Sequence, residues 1–271
     1  MSVFEVRELD AGIKLKNMIG EFVVAPGVFN TLSALFAKKH GFKALYLSSH
    51  ALTIIHGFHH PEILSTDLIV DVVRCIYSAT DLPVIVDLNT CLPNLGYAVQ
   101  MLEMAGAAAV VIDDRTDYRG LLPAERMKEK IQVVIESRKR LMVIAKTTSR
   151  VSEGLRDAIE RAKIYSDSGA DVVSADNLIS RDEFLSFRQN VSGHLSASMT
   201  ETGLSPYLTA DDLKEMGYNA VFFPTAAVRM TASVVEETYR TLQATGSQRS
   251  ILHKMMSDEE LNQVLKPQKG G

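Results

Sequence analysis

Long apolar runs, a cysteine framework and an excess of one charge are all missing from this 271-residue chain. No run approaches the roughly 20 apolar residues that span a bilayer. The opening stretch MSVFEVRELDAGIKLKNMIGEF carries acids from Glu5 onward and has no long apolar core. Both points exclude a membrane partner and predict a soluble, cytoplasmic protein. Two cysteines cannot make a disulfide scaffold. Cys75 falls in a helical pattern and is expected in the core; Cys91, just beyond a strand end, is either an inert loop thiol or a catalytic one. A net charge of -4 removes any global reason to bind nucleic acid or an anionic surface, which leaves a small molecule as the expected partner.

What is present is apolar and periodic. With 46% hydrophobic residues the chain can bury a full core as one domain over 1–271. Short apolar runs at 22–25, 44–48, 83–87, 108–113, 141–146, 171–175, 194–198 and 219–224 alternate with helical patterns at 29–40, 66–80, 94–105, 123–138, 153–168, 181–190, 210–217 and 226–244. Several helices lead through Gly into the next run (HGFKALYL, AGAAAVVI, SGADVVSA, MGYNAVFF). This alternation predicts parallel β/α units closing as a (β/α)8 TIM barrel. In the helix over 153–168, Leu155, Ala158, Ile159, Ala162 and Tyr165 form a stripe for the barrel, and Arg156, Asp157, Glu160, Arg161 and Lys163 a solvated face. Residues 246–271 add an extra C-terminal helix, with Leu261, Val264 and Leu265 after an acidic start at Ser257, and a Lys/Gly-rich end expected to fray. We read that helix as an oligomerisation contact; the alternative is that it packs back on its own barrel.

Two strand ends carry the chemistry. PVIVDLN over 83–89 and AAVVIDD over 108–114 are too apolar to face water, yet they end in Asp87 and Asn89, and in Asp113 and Asp114. In a parallel barrel the C-terminal strand ends meet at the active site. Carboxylates gathered there repel one another, and a divalent cation relieves them.

The segments VVAPGVFNTLSALFAKKHGFKALYLSS, LPVIVDLNT, AGAAAVVIDDR, LMVIAKTTSRVSEGLRDAIERAKIYSDSGADVV and SMTETGLSPYLTADDLKEMGYNAVFFP resemble the isocitrate lyase/phosphoenolpyruvate mutase superfamily over about residues 10–245. The resemblance implies a TIM barrel, commonly tetrameric with an exchanged C-terminal helix. It also implies Mg2+ or Mn2+ as cofactor and C–C or P–C bond chemistry beside a 2-oxo acid or enolate. Where that family has D-x-D-x-G, this chain has Asp87, Leu88, Asn89, Thr90 and Cys91; the second carboxylate has become an amide, which suits an ion that keeps several waters but lowers the charge holding it. The resemblance makes Asp87, Asn89 and Asp113 the metal set, with Asp114 beside them.

By the same resemblance, backbone amides at Ser48, Ser49 and His50 cradle a substrate carboxylate, with Ser49 where Gly is usual. Lys146 stands where an Arg normally forks onto that carboxylate; it is either an anchor or, if desolvated, a nucleophilic amine. Asp176, Ser198 and Glu201 complete the substrate set. The family's gate-loop sequence Lys-(Lys/Arg)-Cys-Gly-His is absent, and the loop from Asp113 to Pro123 is shorter than the pattern. Tyr118 or His60 is left as proton donor, with Asp117 and Arg119 beside Tyr118. His59 and His60 are either ligands for a softer metal or exposed loop residues.

The resulting expectation is a divalent-metal-dependent lyase acting on a small 2-oxo or 2-hydroxy dicarboxylic acid, in a homo-oligomer, dimer or tetramer. One alternative is P–C chemistry of the phosphoenolpyruvate mutase or phosphonopyruvate hydrolase kind. Another is a degenerate barrel that binds an organic acid or a partner without turnover.

Overall fold

Successive side chains of a strand point to opposite faces, and the apolar runs divide accordingly. Ile85, Val111 and Ile144 fill an inner cluster with Val23, Ala25, Tyr46 and Phe222, while Val86, Val110 and Val143 pack outward against helices. The protein, described by a computed structural model over residues 10–88, 94–116 and 120–266, is a closed barrel of eight parallel strands. These are β1 (Val23–Val28), β2 (Leu45–Leu47), β3 (Val84–Asp87), β4 (Ala107–Asp113), β5 (Met142–Thr147), β6 (Val172–Ala175), β7 (His194–Ser198) and β8 (Ala220–Phe223), with β8 pairing back onto β1. Around and beyond them lie α1 (Ala11–Ile19), α2 (Thr31–Lys39), α3 (Ser49–His56), α4 (Thr66–Thr80), α5 (Leu95–Ala105), α6 (Ala124–Ser137), α7 (Arg150–Asp167), α8 (Arg181–Asn190), α9 (Ala210–Glu215), α10 (Ala226–Thr245) and α11 (Asp258–Leu265). The TIM barrel expected from strand–helix alternation is the fold observed.

The strands close where glycine permits. Gly27 lies against the exit of β8, where an added Cβ would be 2.2 Å from the Pro224 carbonyl oxygen, so β1 continues past Pro26 to Val28 instead of stopping at residue 25. Gly106 ends α5 at φ 102° under the Tyr77 ring, a left-handed conformation that other residues adopt only with strain. This is the Gly exit read in the sequence as AGAAAVVI.

Two helices were not anticipated. α1 inserts Ala11, Leu15 and Ile19 into the inner cluster and closes the lower end of the barrel; Leu15 and Ile19 contribute about 2 kcal/mol each by transfer from water. Its apolar spacing is only three residues long and lies in a segment read as a charged terminus. α3 follows β2 directly, with Ser48 as N-cap accepting a hydrogen bond from the Ala51 amide at 3.4 Å.

Two local expectations are corrected. Cys75 is exposed, because α4 buries Ile69, Val70, Val73, Ile76 and Tyr77 and residue 75 falls on the opposite face. Arg161 is not on a solvated face: it turns inward to donate to the Leu122 carbonyl at 2.7 Å and the Tyr165 hydroxyl at 3.3 Å. α11 lies against α2 with Val264 buried. Among the described residues of α10, Val228 alone is buried while Met230, Val234, Val235 and Tyr239 are exposed.

Candidate active site

Alternation delivers Asp87, Asp113 and Lys146 to one place. Each stands two residues beyond an inward apolar side chain (Ile85, Val111, Ile144), so each points into the barrel's upper mouth. The strand register sets Asp113 beside Lys146 and Lys146 beside Ser174. Asp176 follows β6. The Lys146 Nζ lies 3.4 Å from the Asp176 carboxylate, 3.9 Å from Asp113 and 4.0 Å from Asp87.

Beneath them Tyr46 stacks on Phe222 with ring centroids 4.8 Å apart, and its hydroxyl donates to Asp87 Oδ2 at 3.1 Å. Burial, then Lys146 and Arg115 acting against it, decide the proton affinities here. Desolvation pushes the Asp87 carboxyl above its usual value despite the Lys146 ammonium nearby. Burial pushes Asp113 the same way, but Lys146 and Arg115 outweigh it and hold Asp113 below its usual value. Arg115 donates to Asp113 Oδ2 through Nε at 2.9 Å and Nη2 at 2.7 Å. Burial opposes the Lys146 charge, yet Asp176, Asp87 and Asp113 together raise its pKa well above the ordinary lysine value. That disfavours the neutral amine that nucleophilic attack needs.

A cavity of about 240 Å3 opens over this cluster, lined among others by Ser48, His50, Arg115, Asp176, Ser198 and Thr225, a size for a small organic acid. Ser48 and His50 belong to the start of α3, whose first amides lack intrahelical partners and carry the positive end of the helix. Ser49 is buried and is not among the lining side chains. His50 sits at the rim with its pKa lowered first by desolvation and then by Arg229 and Arg115, against the pull of Asp87.

Glu201 does not line the cavity either. It accepts a hydrogen bond from the Thr225 hydroxyl, which does line it, and lies 3.5 Å from Arg229 Nε. That nitrogen is buried and has no hydrogen-bond partner among the described residues. Arg229 was missed by sequence reading because it sits in the first turns of α10, where a lone Arg looks like any solvated helix residue; its closeness to the TETG segment exists only in three dimensions.

Asp114 parts company with Asp113. One residue further along, it turns outward and is fully buried. It accepts from the Thr147 hydroxyl at 2.7 Å, the Tyr165 hydroxyl at 2.8 Å, and the Thr148 amide and hydroxyl at 2.8 and 3.1 Å. Arg161 lies 3.5 Å away. Asp114 is therefore a tie between β4, β5 and α7 and not a neighbour of the mouth, which corrects its place beside the metal set. His60 is exposed, in the loop beyond α3 next to His59, and is not among the cavity-lining side chains. Tyr118, with Asp117 and Arg119, and Asn89 with Cys91 lie outside the described residues. The loop after β4 is short, with the bridge between Arg115 and Leu121 closing it.

The donor chemistry suits a hard divalent ion. Asp87 is a desolvated carboxylate short of positive charge, and Asp113 and Asp176 add oxygen donors nearby. Among the described residues no three acidic, His or Cys side chains form a ready-made ion cage; an ion that keeps several waters, as Mg2+ does, needs fewer protein ligands.

Comparison with known proteins agrees with this geometry. The family model described as phosphoenolpyruvate phosphomutase matches residues 14–243. A 2-methylisocitrate lyase of Aeropyrum pernix is 34% identical, over 94% of this chain and 87% of its own length. The crystal structure of 2,3-dimethylmalate lyase, described as a PEP mutase/isocitrate lyase superfamily member, superposes with a TM-score of 0.87 at 26% identity, over 94% of this chain and 95% of that one. A phosphonopyruvate hydrolase complex with oxalate and Mg2+ has the same fold, with a TM-score of 0.84 at 24% identity over 94% of each chain.

Proposed function

The chain belongs to the phosphoenolpyruvate phosphomutase family, and from that premise we propose that it is a carbon–carbon lyase acting on a small 2-oxo or 2-hydroxy dicarboxylic acid, of the kind named for its relatives as 2-methylisocitrate or 2,3-dimethylmalate. The observation that carries this reading is the mouth itself, where three carboxylates and two cations converge under a cavity of about 240 Å3.

Mg2+ or Mn2+ would be held by Asp87, with Asp113 and Asn89 completing the protein's share. Such an ion would polarise the substrate's 2-oxygen and so favour the alkoxide left when the hydroxyl loses its proton. The substrate carboxylate is received by the first amides of α3 at Ser49 and His50, and by Lys146. Ser198 and Thr225 offer hydroxyls to the C2 oxygen or to the second carboxylate. Arg229 supplies a second cation at the rim, oriented by Glu201.

Breaking the C2–C3 bond of a 2-hydroxy acid requires loss of the hydroxyl proton, transfer of the bond pair to the departing fragment, and protonation of that carbon. His50 favours the neutral form, so its imidazole is suited to accept a proton at the rim. The proton donor comes from the candidates that the sequence offered, Tyr118, His60 or water. Lys146, Arg115 and Arg229 stabilise negative charge as it develops. Pairing of a second copy through the apolar face of α10 would complete the assembly as a homo-oligomer.

Incubation with 2-methylisocitrate, 2,3-dimethylmalate and oxaloacetate at millimolar Mg2+ or Mn2+ tests the reading. Release of a 2-oxo acid or of oxalate from one of them is expected. If all three, and phosphonopyruvate as well, survive unchanged, the barrel is a non-catalytic binder; cleavage of phosphonopyruvate alone would move the assignment to P–C chemistry.

A further inference from the structure

The position of Lys146 bears on how the metal site works. Its side chain is almost fully buried, and its ammonium faces Asp87, Asp113 and Asp176 together, at 4.0, 3.9 and 3.4 Å. These are the oxygens that a divalent ion at Asp87 would draw on. Asp113 is already bound by the Arg115 fork, so the negative charge left to attract an ion resides on Asp87 and Asp176, the two carboxylates that Lys146 shares. Ion and ammonium thus compete for the same charge at close range, where repulsion between like charges is strong in a site shielded from water.

We propose that Lys146 is the resident cation of the mouth: it neutralises the carboxylates in the unliganded protein and shifts onto the substrate carboxylate when the divalent ion enters, so that ion and substrate bind as a coupled pair. The inference rests on the metal site proposed above. Two points support it. Lysine carries a compact charge on a flexible stem, and it can change partners without the geometric demands of a guanidinium fork. The cavity over the cluster gives the ammonium a place to go, since Lys146 itself lines it beside Ser48 and His50.

Coupling of this kind is reciprocal: if substrate draws Lys146 away, substrate tightens the ion by the factor with which the ion tightens substrate. Mn2+ binding, measured by calorimetry and by the spin-resonance signal of free Mn2+, tests it on wild type, Lys146→Met and Lys146→Gln, with and without oxalate. The expected result is weak Mn2+ binding to wild type that oxalate strengthens steeply. Both variants should bind Mn2+ alone about tenfold more tightly than wild type, and the gain from oxalate should shrink by a similar factor. Variants that bind Mn2+ no more tightly than wild type, with the oxalate gain unchanged, overturn the proposal while leaving the metal site standing. Failure of every form to bind Mn2+, with oxalate or without, removes the metal site itself. Melting curves guard against misfolding: a variant that regains its fold only with Mn2+ present supports the exchange of one cation for the other. One that stays unfolded at millimolar Mn2+ shows that the ion cannot replace the ammonium, and contradicts it.

Discussion

Asp113 and Asp114 are consecutive and both buried, but they face opposite ways: Arg115 holds Asp113 in the mouth at 2.7 to 3.2 Å, and Asp114 faces the helices. Asp114 receives hydrogen bonds at 2.7 to 3.1 Å from three side-chain hydroxyls and an amide, so its charge is satisfied by donors that the fold fixes. Around Asp113, the Asp87 and Asp176 carboxylates share one ammonium at 3.4 to 4.0 Å, a looser arrangement that leaves attraction to spare. The first is a structural tie between β4, β5 and α7; the second is a mouth built to receive further charge. Buried charge by itself does not mark a functional site, and the quality of its partners separates the two cases.

The largest effect should come from breaking the mouth. Asp87→Ala is expected to lower kcat/KM by about a thousandfold, about 4 kcal/mol at the transition state, with circular dichroism unchanged. Loss of less than tenfold would take Asp87 out of the chemistry. Breaking the tie should have the converse signature. Asp114→Ala leaves the Tyr165, Thr147 and Arg161 donors without their acceptor in the interior, and should cost about 3 kcal/mol in urea unfolding; a cost below 1 kcal/mol would show that water replaces the carboxylate.

Arg229→Met tests the rim. We expect KM to rise about tenfold, near 1.4 kcal/mol, with kcat little changed; a fall in kcat at constant KM would mean that Arg229 acts only on the transition state.

The smallest effect is on pH dependence, and the sign separates the two carboxylates of the mouth. The Asp87 pKa is raised by folding, so the stability it contributes is present below the ordinary Asp value of 3.8 and is lost as pH rises through the folded value. Asp87→Asn, freed of metal, should therefore gain stability relative to wild type as pH rises above the ordinary Asp value of 3.8. Asp113 has a lowered pKa; its contribution is present above the ordinary value and lost as pH falls through the folded one, so Asp113→Asn should lose stability relative to wild type as acid conditions are left. Urea midpoints for the two variants that move the same way with pH would refute the assignment.

Much of this comparison was legible in the chain and part of it was not. The strand ends carrying Asp87 and Asp113 stood out because a carboxylate at the end of an apolar strand has few ways to be satisfied. Asp114 was read with them because adjacency in sequence conceals the reversal of direction at each step along a strand. Ser48 and His50 were placed at the cavity, but the helix that begins there was not, since an eight-residue helix with no charged stripe has little periodic signature. Lys146 was singled out through the family resemblance, whereas its partners come from three other strand ends. The exposed apolar side chains of α10 were hidden by a pattern that reads like any barrel helix.

The sequence by itself determined the class of fold, the order of its elements and which end of the barrel would carry acid groups, because hydrophobic periodicity and the polarity of strand ends are local properties. Tertiary structure alone decided which of two adjacent carboxylates faces the mouth, that Lys146 lies among three acids from separate strands, and that Arg229 meets Glu201. Each of these depends on strand register and on closure of the ring, which bring together residues far apart in the chain, and such distances are set by packing the whole barrel at once.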